Sequence, residues 1–332
     1  MWGMRIRALT LATAFLSLLG CKRPLSAGEP SPLALELSIP LSGVSGRIDH
    51  LAVDATHHRL FVAELGNGSV QAIDLASGRL LGRIAGLDEP QGLGYLPQRD
   101  ELVVATGGDG MLRFYRGGDL ALAGSIKLGE DADDVRIDPR SGHLLVGYGR
   151  AVAVIDPSTR GVLQTFPLPA HPEGFALQGT RIFVNSPGAG AVVVLDTMGG
   201  REVARWPNPG VQFNFPMASD EESGRIAVVY RLPARLVLFA AASGKVEQTL
   251  DTCGDADDVF FDARRRRLYV VCGSGAVDVF TQLRSGYSRA ARIPTRGGAR
   301  TGLFSPELDR LYVAARAGAM GKAAAVLAYR PG

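Results

Sequence analysis

The sequence predicts an all-β protein: a seven-bladed β-propeller with four-stranded antiparallel blades, in which the N-terminal strand closes the ring. Two observations predict this fold. An apolar strand pattern recurs about every 42 residues, and the 42 glycines among the 332 residues fall mostly between short apolar runs. Glycine at that level is well above its usual share of about 7% and is typical of a turn-rich β protein.

The repeat is clearest in the second strand of each unit. These strands start at Arg59, Glu101, His143, Arg181, Arg225, Arg267 and Arg310. Successive starts are 42, 42, 38, 44, 42 and 43 residues apart. An inner strand precedes each of them, and a third strand, a Gly- or Ser-containing turn and a more variable fourth strand follow. A period near 40 with several short strands is typical of a propeller blade, which buries its faces only against its neighbours.

The fourth strand of the seventh unit is predicted to come from the other end of the chain. The third strand of that unit covers residues 323–329, and no fourth strand follows it. Before the first unit, apolar side chains alternate with polar or small ones over residues 33–41, as expected of a half-buried strand. We expect this strand to complete blade seven and close the ring.

Two units carry a resemblance to a known family. Residues 59–84, RLFVAELGNGSVQAIDLASGRLLGRI, and residues 181–206, RIFVNSPGAGAVVVLDTMGGREVARW, resemble the repeats of the YVTN, or YncE-like, bacterial propeller family. The resemblance extends over about 300 residues. It implies the propeller fold and leaves the function open, because members and their relatives range from binding proteins to lactonases.

The N-terminal segment has the features of an export signal. Arg5 and Arg7 precede an apolar stretch, residues 8–19, that is too short to span a bilayer, which takes about 20 residues. The ending Leu-Leu-Gly-Cys resembles a bacterial lipobox, in which the cysteine, here Cys21, is lipidated and becomes the new N-terminus. We therefore predict a signal peptide over residues 1–20, a tether over 21–32 and the propeller over 33–332.

The same segment predicts the location of the protein. Lys22 follows Cys21 where an Asp would favour the inner membrane, so resemblance to the sorting of Gram-negative lipoproteins implies an outer-membrane anchor facing the periplasm. A plain secretory signal with release into the periplasm is the alternative. Loss of Arg5 and Arg7 leaves 34 basic side chains against 33 acidic ones, so we expect no nucleic-acid partner. We expect a monomer.

The remaining cysteines are predicted to pair. If Cys21 carries lipid, Cys253 and Cys272 form an even pair in an oxidising compartment. A hairpin of residues 258–263 and 267–272 would place Cys272 opposite Asp258, with Cys253 in the loop that enters the same end of the blade. We expect a disulfide, and two free thiols are the alternative.

Every blade has a polar residue at the same place, near the start of its inner strand. Aligned on the second strands, these residues are Asp49, Gln91, Asp133, Glu173, Asn214, Asp257 and Arg300. Inner strands line the axis of a propeller, so all seven are expected at one mouth of the central channel. His50, Asp134 and Asp258 come one residue later and extend the set.

Such a mouth has two explanations. Convergent polar groups in a concave place are typical of ligand sites, and four acids against Arg300 favour a cation or a ligand with a cationic part and one anionic group. Asp133, Asp134, Asp257 and Asp258, from the duplicated sequence DADDV, would offer oxygen ligands to Ca²⁺ or Mg²⁺. The alternative is structural: side chains there satisfy backbone N–H groups that the strands leave over.

The leading interpretation is a lipid-anchored module that binds a small molecule or an envelope protein at an acidic channel mouth. The competing hypothesis is an enzyme of the lactonase or lyase type that uses a divalent metal at the same mouth as a Lewis acid. The sequence favours the binding module and identifies no catalytic residue.

Overall fold

The strands of the protein assemble into the predicted blades. The computed structural model describes residues 1–2, 31–318 and 321–332, and their 28 strands form seven four-stranded antiparallel sheets. All but the first two residues of the predicted signal peptide, the lipidation site Cys21 and most of the tether lie outside the described residues. No helix within the described residues is long and apolar enough to cross a membrane.

The N-terminal strand is β1 (Leu33–Pro40), and the first three blades follow it. Blade one consists of β2 (Leu51–Asp54), β3 (Arg59–Glu64), β4 (Ser69–Asp74) and β5 (Leu80–Ala85). Blade two consists of β6 (Pro90–Leu96), β7 (Glu101–Thr106), β8 (Met111–Arg116) and β9 (Leu122–Lys127). Blade three consists of β10 (Val135–Ile137), β11 (Leu144–Tyr148), β12 (Ala151–Asp156) and β13 (Gly161–Pro167).

The other four blades complete the circle. Blade four consists of β14 (Phe175–Gln178), β15 (Arg181–Ser186), β16 (Ala191–Asp196) and β17 (Arg201–Pro207). Blade five consists of β18 (Gln212–Asp220), β19 (Arg225–Leu232), β20 (Ala234–Ala240) and β21 (Val246–Asp251). Blade six consists of β22 (Ala256–Asp262), β23 (Arg267–Cys272), β24 (Ala276–Leu283) and β25 (Gly286–Pro294). Blade seven consists of β26 (Thr301–Ser305), β27 (Arg310–Ala315), β28 (Ala325–Pro331) and β1.

The core lies between neighbouring sheets. All six residues of β3 are buried because this strand is covered on both faces, whereas Ile84 is the one buried residue of the outer strand β5. Phe61 of blade one packs with Leu93 and Leu102 of blade two, and equivalent clusters lie between the other blades. The inner strand β26 of blade seven contacts β2 of blade one, which closes the ring.

The predicted closure by the N-terminal strand is confirmed. Strand β1 pairs antiparallel with β28, with Ile39 opposite Val326. Leu33 packs in the cluster between blades six and seven, and Ile39 packs in the cluster between blades seven and one. The regular alternation expected for this strand is wrong in its middle, where Leu35 and Leu37 are exposed. A register shift between these two residues turns them to solvent at the outer edge.

The predicted disulfide is confirmed. Cys253 and Cys272 are bonded, with their Cα atoms 5.8 Å apart, and both are buried. Cys272 lies opposite Ala256 and not opposite Asp258 as predicted, because a bulge between Ala256 and Asp258 shifts the register at the start of β22. The bond closes a 19-residue separation, which is worth about 3 kcal/mol in the chain-entropy model.

Candidate functional site: one mouth of the central channel

The inner strands bring the predicted polar residues to one end of the channel. In β2, β6, β10, β14, β22 and β26 the aligned residue of the inner strand lies opposite the same position of the second strand, as in Leu51 opposite Val62 and Val259 opposite Val270. The polar residue two positions earlier therefore falls at the same level in these six blades. Sequence spacing was sufficient here because each hairpin is in regular register from its turn up to the aligned residue. The bulges of blades two and six lie beyond it, between Pro90 and Leu93 and between Ala256 and Asp258.

Blade five departs from this pattern. The turn after β18 has the same length as the turn after β2, with Asp220 opposite Arg225 as Asp54 is opposite Arg59, so Met217, and not Pro216, lies opposite Val228. A bulge lies just before this position, between Asn214 and Met217. Phe215 therefore takes the place at the mouth that the sequence assigned to Asn214, which is a correction to the predicted site. The carbonyl oxygen of Phe215 accepts hydrogen bonds from Gly174 N at 3.0 Å and from Asn185 Nδ2 at 2.9 Å, and these bonds attach the bulge to blade four.

Asn214 instead joins two blades from within. It is fully buried, and its Nδ2 donates to Asn185 Oδ1 and to the carbonyl oxygen of Ala191, both at 3.0 Å. Its Oδ1 accepts from Asn208 Nδ2 at 3.1 Å. Asn214 therefore has a structural role, although it satisfies a backbone carbonyl group and not the backbone N–H groups that the structural explanation named.

The other nine predicted residues line two connected spaces. The outer one, the mouth cavity, has a volume of about 260 Å³ and is bordered by Gln91, Asp133, Glu173, Asp257 and Arg300 among others. Beneath it an inner chamber of about 40 Å³ is bordered by Asp49, His50, Asp133, Asp134, Glu173, Asp257 and Asp258. The inner chamber has room for a few waters, and the mouth cavity has room for a small molecule.

Arginines that the sequence analysis missed change the charge of this mouth. Arg47 Nη2 lies 2.8 Å from Asp49 Oδ2. Arg231, at the end of β19, binds Asp257 and stacks on the ring of Phe215, with 3.8 Å between its guanidinium carbon and the ring centroid. The predicted acidic ring is therefore a mixed one. Arg47 could have been predicted from the sequence, since it lies two residues before Asp49 on the same side of the chain. Arg231 could not, because it reaches the mouth from the second strand of its blade.

Burial shifts the pKa values of several carboxyl groups here. It raises the pKa of Glu173 to about 8, and the negative charges of Asp133 and Asp257 add to the effect. Burial also raises the pKa of Asp258 to about 7 and the pKa of Asp49 to about 6. At neutral pH the mouth therefore carries less negative charge than its composition indicates.

His50 and Asp133 form an ionised pair. Burial disfavours a charged imidazole, but Asp133 and Asp49 outweigh it and hold the pKa of His50 well above its usual value. His50 in turn outweighs the burial of Asp133, whose pKa is lowered. The two charged atoms, His50 Nε2 and Asp133 Oδ1, are 3.6 Å apart. The pair joins blade one to blade three across the inner chamber.

The four aspartates proposed for a divalent cation do not converge as a ligand set. Two of them already have charged partners, since Asp133 pairs with His50 and Asp257 pairs with Arg231 and Arg300. Asp134 binds Arg136, and Asp258 Oδ2 accepts a hydrogen bond from Gly302 N at 2.7 Å. Within the described residues, these four do not include a group of three ligand atoms that lie within 4.8 Å of one another.

The described residues contain one group with that spacing, at the other end of the channel. It consists of Asp54, His57 and Asp100. Arg59 already occupies the space between them: its Nη2 lies 2.6 Å from Asp54 Oδ2, binds Asp100 and donates to Tyr95 Oη at 2.9 Å. A guanidinium group supplies the positive charge here, so the cluster joins blades one and two.

Comparison with known proteins supports the fold. No protein-family model and no curated protein sequence matches the chain. A solved structure titled Kuenenia stuttgartiensis Hydrazine Synthase matches with a TM-score of 0.71 and 17% identity, covering 86% of this chain and 97% of that one. A chain of a structure titled Crystal Structure of Mitotic Checkpoint Complex matches with a TM-score of 0.76 and 14% identity, covering 98% of both. These similarities show the β-propeller fold, and membership of the YVTN family stays a prediction.

Proposed function

We propose that this protein is a lipid-anchored, extracytoplasmic propeller that binds a ligand or protein partner at the channel mouth. The observation that carries the proposal is the convergence of charged side chains from six of the seven blades on one open cavity. Propellers are binding scaffolds in many settings, so the fold agrees with this function without choosing the partner.

The size of the cavity limits what enters it. At about 260 Å³ the mouth cavity is smaller than the 300–1,000 Å³ typical of sites for drug-sized ligands. A molecule of amino-acid size fits, as does one side chain or terminus of a partner protein. Charged groups rather than apolar walls line the cavity, so recognition is electrostatic and depends on the ionic strength.

An enzyme at the same mouth is the second candidate, and Glu173 is the observation that favours it. A carboxyl group whose pKa is raised to about 8 within a cavity has the properties of a general acid or base. The aspartates offer no preformed metal site for the lactonase or lyase mechanism, so this hypothesis rests on Glu173 alone.

The proposal is tested with the full-length protein purified natively from membranes. Small molecules and proteins that copurify are identified by mass spectrometry, and metals by elemental analysis. An Arg300→Ala variant is expected to lose the bound species, while Arg284→Ala, an exposed arginine at the other end of the ring, is expected to keep it. Equal capture by both variants contradicts a mouth site.

The anchor is tested separately. Cys21→Ala is expected to move the protein from the membrane fraction to the soluble periplasmic fraction, and mass spectrometry of the wild type is expected to show acyl chains on Cys21. A wild-type protein that is released without acylation supports the plain secretory alternative.

A further inference from the structure

Two ionisable side chains around the mouth differ from all the others. Glu173 of blade four and Arg316 of blade seven make no ion pair and no side-chain hydrogen bond with any residue that the structure describes. The other charged groups at the mouth are ion-paired, as Asp257 is with Arg231 and Arg300, or hydrogen-bonded, as Asp258 is to Gly302 N. Glu173 is half-buried in the mouth cavity, and a cation that binds beside it would stabilise its ionised form, while Arg316 is exposed and free to receive an anion. These two side chains therefore mark where external charges would be bound most favourably.

Arg316 belongs to a second cavity that adjoins the mouth. This arginine notch has a volume of about 170 Å³, and Arg47, Arg300 and Arg316 converge on it. Asp255 is the one acidic residue on its wall, and it already lies 3.4 Å from Arg300 Nη1. Three guanidinium groups against one carboxylate favour an anionic group such as a carboxylate or a phosphate.

The notch and Glu173 lie on opposite sides of the axis. With about 51° between blades, blade four stands opposite the boundary between blades seven and one. Arg316 and Arg300 come from blade seven, and Arg47 leads into blade one. Arg47 and Arg300 border both the notch and the mouth cavity, which also contains Glu173, so one molecule can reach both sides.

We infer that the mouth binds a dipolar small molecule, whose anionic group enters the arginine notch at Arg316 while its ammonium group pairs with Glu173. This inference rests on the proposed function, since it names the ligand class of that same site. The arrangement selects for both charges at once, because either half of the ligand alone leaves one of the two unpaired groups without a partner. Asp133, which lies beside Glu173, adds to the attraction for the ammonium group.

The test uses ω-amino carboxylates of increasing length, from glycine to 6-aminohexanoate, as molecular rulers on the full-length protein. Acetate and inorganic phosphate serve as anion-only probes, and ethylamine serves as the cation-only probe. Binding is measured by isothermal titration calorimetry at low salt and at a pH of about 9, where Glu173 is ionised before the ligand binds. One length is expected to bind at least tenfold more tightly than any single-charge probe.

Variants assign each end of the probe. Glu173→Gln and Arg316→Ala are each expected to weaken binding of the best ω-amino carboxylate by about 10- to 100-fold, the usual range for a lost charged hydrogen bond. Arg316→Ala should also weaken acetate binding, and Glu173→Gln should not. Glu222→Gln and Arg284→Ala, at the other end of the ring, serve as matched controls that keep full affinity.

Three outcomes overturn the inference: no ω-amino carboxylate binds, single-charge probes bind as tightly as dipolar ones, or the two variants bind the dipolar probe normally. If the natively purified protein then still carries a species that Arg300→Ala loses, the proposed function stands and only the ligand class is wrong. If Arg300→Ala loses nothing, the mouth site itself is wrong.

Discussion

Arg300 Nε lies 2.8 Å from Asp257 Oδ2, while the other oxygen of the same carboxylate binds Arg231. Asp257 of blade six thus holds an arginine from the blade on each side of it. Burial raises the pKa of Asp257, and the two arginines oppose that shift. The mouth is therefore a structural junction of three blades as well as a candidate site.

Removing this shared carboxylate should destabilise the ring. Asp257→Asn is expected to lower the free energy of unfolding by about 1–3 kcal/mol, because two partly buried guanidinium groups lose a charged acceptor. Urea unfolding followed by fluorescence measures the change. Asp119→Asn, which removes an exposed ion pair with Arg116, is the control and should leave the midpoint where it was. Equal midpoints for the two variants would show that Asp255 alone suffices to hold both arginines.

The raised pKa values predict a stability that falls as the pH rises from 5 to 8. Glu173 has a folded-state pKa of about 8 against an ordinary value of 4.5, so its contribution is fully present below 4.5 and is lost on the way to pH 8. Asp258, at about 7, and Asp49, at about 6, act in the same direction. Melting temperatures across this range measure the loss.

Glu173→Gln isolates the contribution of one group. The charged groups that face Glu173 are Arg47 next to blade one, Asp131 and Asp133 from blade three, Arg231 from blade five and Asp257 from blade six, and the variant keeps all of them. We expect Glu173→Gln to flatten the pH profile and to raise the melting temperature most at pH 8. Glu222→Gln should keep the wild-type profile. A Glu173→Gln profile parallel to that of the wild type would mean that other groups cause the dependence.

Closure of the ring by β1 can be tested with variants within residues 33–41. Ile39→Ala removes a side chain that is 1% exposed and should cost about 2–5 kcal/mol, whereas Leu37→Ala, at a position 44% exposed, should cost far less. Deletion of residues 33–41 should abolish cooperative unfolding of the whole ring, since β28 loses its partner and two inter-blade clusters lose apolar residues. Calorimetry checks all three, and an unchanged melting temperature of the deletion variant would refute closure by β1.

The disulfide is expected to stabilise the fold by an amount that depends on the length of the loop that it closes. Reduction of the wild type, or replacement of Cys253 and Cys272 by Ala, is expected to cost about 3 kcal/mol. Non-reducing peptide mapping should recover the two cysteines in one linked peptide. The double-alanine variant should not respond to reductant, and a wild type that also fails to respond would show that the bond contributes nothing.

Much of the fold could be predicted from the sequence, because a propeller repeats one local unit along the chain and each blade packs only against its neighbours. The period near 42 residues, the start of six of the seven second strands at the predicted residue, and the closure by β1 are all encoded in local patterns. So is the arrival of residues such as Asp133 and Asp257 at one mouth, since each lies two residues before a position that its hairpin holds in regular register, Val135 and Val259.

Only the tertiary structure decided the details that depend on irregular or long-range contacts. In blade five the pairing of β18 with β19 places Phe215, and not Asn214, at the mouth, and Asn214 lies in a bulge where it is buried against Asn185 of blade four. The arginines that neutralise the acids, above all Arg231, arrive from a different strand and blade than the residues they bind. Charge balance is a sum over neighbours in space, so the sequence predicted which residues gather at the mouth, while the packing of the blades determined which of them pair.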